Sequence, residues 1–203
     1  MQLLVNTLEK IKSTSKISEK TEILQGIQDP QIKRVLNYLG DPNQVIGLST
    51  KKIQKEVTPV EHNMSLAELL DHLCVNNTGT DHEVGMVQHF INQYDEMTKD
   101  VLAQVIGKSW TTTVGTNLLN KVYGAGFIPV FDVQLAFPYE KKIASYKADS
   151  RFFVTQKLDG FRAIVEFDNG EVVSIKTRKG KVIDGLTELI EDIERAISAD
   201  FGH

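Results

Sequence analysis

Cysteine is nearly absent from this sequence. Cys74 stands alone, which excludes an intrachain disulfide and makes a reducing compartment the expected setting. It lies near the apolar side of an expected helix and reads as a buried structural thiol. No uninterrupted apolar run approaches membrane-spanning length, and the opening residues do not form a basic-then-apolar leader. No membrane is therefore expected among the partners, and the cytoplasm is the expected location. His62, His72, His82 and His89 are scattered, with no pair in metal-ligand context, so surface or helix-face positions are expected and no metal ligand is assigned. Positive charge is not in excess either: the net charge is −4, which taken alone argues against a nucleic-acid binder.

What is present is an ordinary globular composition, 41% hydrophobic and 25% charged, over 203 residues. That length suits one large domain or two small ones, with no dominating disordered tail. The charge is unevenly spread. From Lys141 to Lys181 there are ten lysines and arginines against five acids, a local surplus that can engage phosphates within a mildly acidic chain.

Up to about Pro129 the pattern is helical. Leu4, Leu8 and Ile11 mark an amphipathic opening helix, and Ile23, Leu24 and Ile27 a second. Asp29-Pro30 is a cap followed by a first-turn proline; Ile32, Val35, Leu36 and Leu39 continue the period, and Gly40 is expected to stop it. Val45-Ile46-Gly47-Leu48 with Lys51, Lys52 and Lys55 reads as a loop or short helix, its lysines a solvated face or phosphate contacts. Ser65-x-x-Glu68 and Thr80-x-x-Glu83 are capping boxes for two further helices. Another helix carries Val101, Leu102, Val105 and Ile106 and ends at Gly107. A glycine-bracketed polar loop, Gly107 to Thr116, then leads into a helix with Leu118, Leu119, Val122 and Tyr123 inward. Such a loop is a plain helical hairpin or a presentation of backbone N–H groups to a phosphate.

From Phe131 the period changes. Strands are expected over 152–157, 161–167 and 171–177, the last two joined by the hairpin signal Asp168-Asn169-Gly170. Arg178-Lys179-Gly180-Lys181 is a basic turn. A final helix from about Leu186 is expected to bury Leu186, Leu189, Ile190, Ile193 and Ile197 on one stripe. The fold class is therefore α+β, helices first.

The stretch Thr155-Gln156-Lys157-Leu158-Asp159-Gly160-Phe161-Arg162 reads as a strand running into a tight turn. A lysine at the edge of a buried sheet is partly desolvated, which lowers its pKa toward the nucleophilic amine. Gly160 permits close approach of a ligand, and Arg162 offers a forked donor. From spacing alone a surface hairpin with two ordinary cations remains open.

Lys157-Leu158-Asp159-Gly160-Phe161-Arg162 resembles the Lys-x-Asp-Gly-x-Arg signature of the covalent nucleotidyltransferases: ATP-dependent DNA ligases, RNA ligases and mRNA capping enzymes. Thr177-Arg178-Lys179-Gly180 resembles their second signature, Ser/Thr-Arg-x-Gly, and Arg178 falls 21 residues beyond Lys157. The run from Val114 through Asn117, Asn120-Lys121-Val122-Tyr123, Gly126-Phe127-Ile128-Pro129 and Gln134-Leu135-Ala136 is similar to the end of the helical DNA-binding domain of ATP-dependent DNA ligases of phage or virus type.

The resemblance implies a helical DNA-binding domain at 1–134, and at 135–203 the start of an antiparallel-β-rich, ATP-grasp-like nucleotidyltransferase (adenylation) domain. It implies that Lys157 is the catalytic nucleophile, with Thr155, Gln156, Leu158, Arg162 and Arg178 binding nucleotide. Thr155 stands where many relatives carry Glu. Lys108, Thr112, Thr116, Asn117 and Lys121 are the implied DNA contacts, ATP and Mg²⁺ the cofactors, and nicked duplex DNA the partner. A monomer in a bacterial or phage-infected cytoplasm is expected. The family's later motifs would lie beyond Asp200, so the chain is expected to be an N-terminal portion that does not seal nicks alone. The alternatives are an RNA ligase or capping-type nucleotidyltransferase, and a non-catalytic DNA-binding protein.

Overall fold

Leu4, Val5, Leu8 and Ile11 fall on one face of the first helix, α1 (Gln2–Ser13), and all four are buried. The computed structural model describes residues 1–111, 114–131, 133, 139–146, 151–153 and 160–201. The chain divides into two units, Met1–Pro129 and Val130–His203. The sequence places this division at 134/135.

The first unit is helical. Following α1 come α2 (Ile17–Gln25), α3 (Pro30–Gly40), the four-residue α4 (Thr50–Ile53), α5 (Leu66–Val75), α6 (Asp81–Ile91), α7 (Glu96–Ile106) and α8 (Thr116–Tyr123). Start signals act as their chemistry requires. The Asp29 carboxylate accepts from the backbone N–H of Gln31 at 2.8 Å and of Ile32 at 3.2 Å. Ser65 and Glu68 bond reciprocally: Glu68 accepts from the Ser65 N–H at 2.8 Å, and Ser65 Oγ from the Glu68 N–H at 3.4 Å. At the second box Glu83 accepts from the Thr80 N–H at 2.6 Å and from its hydroxyl. Gly40 continues α3 rather than ending it, and Asp41 is the cap.

The buried core joins all eight helices: α8 packs on α2 and α3, α1 on α2 and α7, and α4 on α6 and α7. Two glycines allow these approaches. A Cβ at Gly107 would lie 2.5 Å from the Thr50 nitrogen, and one at Gly40 would lie 2.5 Å from Leu119 Cδ1.

The second unit holds a short helix, α9 (Tyr139–Lys142), then one 3₁₀ turn at Ile143–Ser145, strands β1 (Ala163–Asp168) and β2 (Glu171–Thr177), and α10 (Thr187–Phe201). The strands pair antiparallel, Ala163 opposite Thr177, Val165 opposite Ile175 and Glu166 opposite Ser174. Asn169 at φ 52° and Gly170 at φ 88° close the hairpin with left-handed backbone at both central positions.

Three expectations are corrected here: the start of β1, the inward stripe of α10 and a strand at Phe152 and Phe153. β1 begins at Ala163, so Phe161 and Arg162 precede the ladder. Leu189 is 43% exposed, while Leu186, Ile190, Ile193 and Ile197 are half-buried, so the inward stripe of α10 is narrower than its spacing implied. The chain also pairs once more after the basic turn: Val182 bridges Lys176, and the Ile183 N–H donates to the Ile175 carbonyl at 2.8 Å. Of the strand expected over 152–157, Phe152 and Phe153 are described and lie outside any strand; the rest lies outside the described residues. Helices followed by an antiparallel hairpin agree with the α+β class.

Candidate functional site

In the second unit the β1–β2 register fixes the two signature arginines. Arg162 immediately precedes Ala163, and Arg178 immediately follows Thr177, its partner. Both arginines are exposed and stand at one end of the hairpin. The loop carrying Arg178 is tightly made. The Gly180 N–H donates to the Thr177 carbonyl at 2.9 Å and the Thr177 N–H to the Lys181 carbonyl at 2.8 Å, with Gly180 at φ 82°. This is a three-residue hairpin loop with glycine at the left-handed position. A Cβ on Gly180 would lie 2.5 Å from Phe131 Cβ, so the aromatic ring packs directly under the loop. Lys157, Thr155, Gln156 and Leu158 lie outside the described residues.

On the hairpin face, Glu166 accepts from Lys176 Nζ at 2.6 Å and from Ser174 Oγ at 2.5 Å. These two donors hold its carboxyl below the usual carboxylate range. Lys176 also stands over the Phe131 ring at 5.6 Å. The sequence did not single out Glu166 or Lys176. Their pairing depends on strand register, which alternation alone does not set.

In the first unit the loop between α7 and α8 starts with a helix-ending motif. The Ser109 N–H donates to the Gln104 carbonyl at 2.9 Å and the Lys108 N–H to that of Val105 at 3.1 Å. This is the Schellman arrangement, and its left-handed position, where glycine is usual, is Lys108 at φ 51°. A side chain there costs about 1 kcal/mol of backbone strain. The side chain turns inward. Lys108 Nζ donates to the Asp41 carbonyl at 2.6 Å and lies 4.5 Å from the Tyr38 ring centre. Burial pushes its pKa down, and the Asp41 carboxylate partly restores it. Tyr38 in turn donates from its hydroxyl to the Ile106 carbonyl at 2.6 Å, and burial pushes that phenol up.

The remaining implied DNA contacts fall into two groups. Thr116 donates through Oγ1 to the Gly40 carbonyl at 2.8 Å. Asn117 and Lys121 are exposed and, four residues apart, share one face of α8. Thr112 lies outside the described residues. Of the lysine triplet, Lys51 is exposed, Lys52 is half-buried and Lys55 pairs with Asp81 at 2.9 Å.

Among the described residues, no group of three or more His, Cys, Asp or Glu comes together to hold a metal ion. His62, for which a surface or helix-face position is expected, is half-buried in the loop before α5. Nδ1 accepts from the Met64 N–H at 3.1 Å and Nε2 faces the Met86 carbonyl at 3.0 Å, which ties the loop before α5 to α6. Cys74 is half-buried on α5, and burial raises its thiol pKa. Among the described residues no helix is long and apolar enough to cross a membrane.

No family model and no curated protein matches this sequence. Solved structures do match. Over 97% of this chain the backbone is similar to 47% of the chain named Pmar-Lig_PreS3, at 16% identity and a TM-score of 0.55. It is similar to the same share of Pmar-Lig_Pre., at 16% identity and a TM-score of 0.58. The chain therefore has a ligase-like fold and spans about half the length of these structures.

Proposed function

We propose that this chain is the duplex-gripping and lysine-bearing part of an ATP-dependent DNA ligase. The observation that carries the reading is the ligase-like fold over 97% of the chain, together with the signature residues Lys157, Arg162 and Arg178. Two exposed guanidinium groups at one end of a hairpin suit the phosphates of a nucleotide or of a nick. Thr155, Gln156 and Leu158, beside the lysine in sequence, would line the base and sugar.

In this reading Lys157 Nζ attacks the α-phosphorus of ATP. An N–P bond forms, the P–O bond to the β-phosphate breaks, and pyrophosphate leaves with the electron pair as the amine proton passes to solvent. The AMP then moves to a 5′-phosphate at the nick, and the 3′-hydroxyl displaces it; sealing belongs to the whole ligase. Each step is in-line displacement at phosphorus, so positioning and charge neutralisation dominate. Mg²⁺, arriving with ATP, would supply neutralisation of the charge on the phosphates. Asn117 and Lys121 on α8 would meet the duplex backbone, making binding salt-sensitive and largely independent of sequence.

A mobility-shift assay tests the partner. The chain should hold nicked duplex DNA over single-stranded RNA, with affinity falling as salt rises and unchanged by Lys157→Ala. Preference for single-stranded or capped RNA would contradict the DNA reading and favour an RNA ligase or capping enzyme.

A further inference from the structure

We propose that Lys108 is a positioning residue: with Thr116 it clamps the α7–α8 loop onto the carbonyl end of α3, so that α8 meets DNA in a fixed orientation, and its ammonium touches no phosphate. The inference rests on the reading that the first unit holds duplex DNA, and it deepens that reading.

The last carbonyls of a helix lack intrahelical partners and carry its partial negative charge. At the end of α3 two consecutive carbonyls are taken by the two ends of one loop. Thr116 donates to Gly40 at 2.8 Å and Lys108 to Asp41 at 2.6 Å. The capping is reciprocal, because Tyr38 of α3 donates to Ile106, the last residue of α7, at 2.6 Å. Each helix thus closes the other's C-terminal end.

A third fastening secures the start of the loop, where Ser109 Oγ and Thr50 Oγ1 lie 2.6 Å apart. Asp41 is itself held, its carboxylate accepting from the Asn43 N–H at 2.8 Å and from Gln44 at 3.2 Å. A lysine at φ 51° strains the backbone where glycine would not, and the side chain that brings the strain also makes the clamp. Its charge is committed inside the unit, whereas Lys121 is exposed on α8.

Lys108→Gly is the discriminating variant, because glycine adopts this backbone without strain and removes only the clamp. Thr116→Val releases the other end. Two measurements apply: fluorescence anisotropy with nicked duplex across a salt series, and amide exchange at Trp110, Val114 and Gly115 without DNA. Lys108→Gly should weaken binding about tenfold at every salt concentration, leave the log–log salt slope unchanged, and speed loop exchange. Thr116→Val should move both readouts the same way. Lys121→Ala should lower the slope by about one.

A slope reduced by about one in Lys108→Gly, with exchange unchanged, would make Lys108 a phosphate ligand and overturn the proposal. Unchanged affinity would also overturn it, leaving a purely structural lysine. If the wild-type chain binds no DNA while Lys108→Gly still speeds loop exchange, the DNA reading fails and only the clamp survives.

Discussion

Ala163 pairs with Thr177 across the β1–β2 ladder, and that one pairing brings the ends of two separate sequence signatures together. Arg162 and Arg178 each lie one residue beyond the pair, on the same side of it. If both guanidinium groups serve one phosphate-bearing ligand, removing them should not be independent. Arg162→Ala and Arg178→Ala should each lower nucleotide labelling of the chain by about tenfold or more, the scale of a lost charge-assisted hydrogen bond. The double variant should lose less than the product of the two. Full multiplicativity, measured by adenylate yield at fixed ATP, would mean that they serve separate ligands.

Gly107 and Gly40 both permit close helix packing, but against different neighbours. A Cβ at Gly107 meets the Thr50 nitrogen at 2.5 Å and its Oγ1 at 2.6 Å, and backbone there cannot step aside cheaply. A Cβ at Gly40 meets the tips of Leu119 and Ile128, which can rotate. Gly107→Ala should therefore cost about 2–3 kcal/mol and Gly40→Ala about 1 kcal/mol. Urea unfolding of the two variants checks the order.

The acid limb of stability should depend on helix caps. Hydrogen bonds from Thr80 hold the Glu83 carboxyl below its ordinary value of 4.5, and bonds from Ser65 act likewise on Glu68. A depressed folded pKa contributes stability that is present above the unfolded value and is lost as pH falls through the folded one. Thermal midpoints should therefore decline below about pH 4.5. In Glu83→Gln the midpoint at neutral pH should be lower and the acid decline shallower. A parallel downward shift with an unchanged acid slope would contradict that linkage.

The parts of the fold that could be read in advance are those written in neighbouring residues. Asp29-Pro30, Ser65-x-x-Glu68, Thr80-x-x-Glu83 and Asn169-Gly170 each satisfy backbone groups within four residues, so their chemistry is visible in the string. Long-range commitments were not visible. Lys108 is an implied DNA contact in a polar loop, whereas its partners Asp41 and Tyr38 lie far away in sequence. The half-burial of His62 is not legible in the string because its acceptor, the Met86 carbonyl, belongs to a distant helix. The stripe on α10 included Leu189 because period counts positions without knowing how wide the facing surface is. Arg162 and Arg178 were singled out by motif, and the strand register is what places them at one end.

The most direct test of the account is covalent labelling. The chain is incubated with ATP labelled at the α-phosphate and Mg²⁺, and protein-bound label is followed in the wild type and in Lys157→Ala. The account predicts acid-labile label on the wild type and none on the variant. Equal label on both proteins would contradict the role given to Lys157, and a folded, DNA-binding chain that takes no label would contradict adenylation by this portion of the ligase.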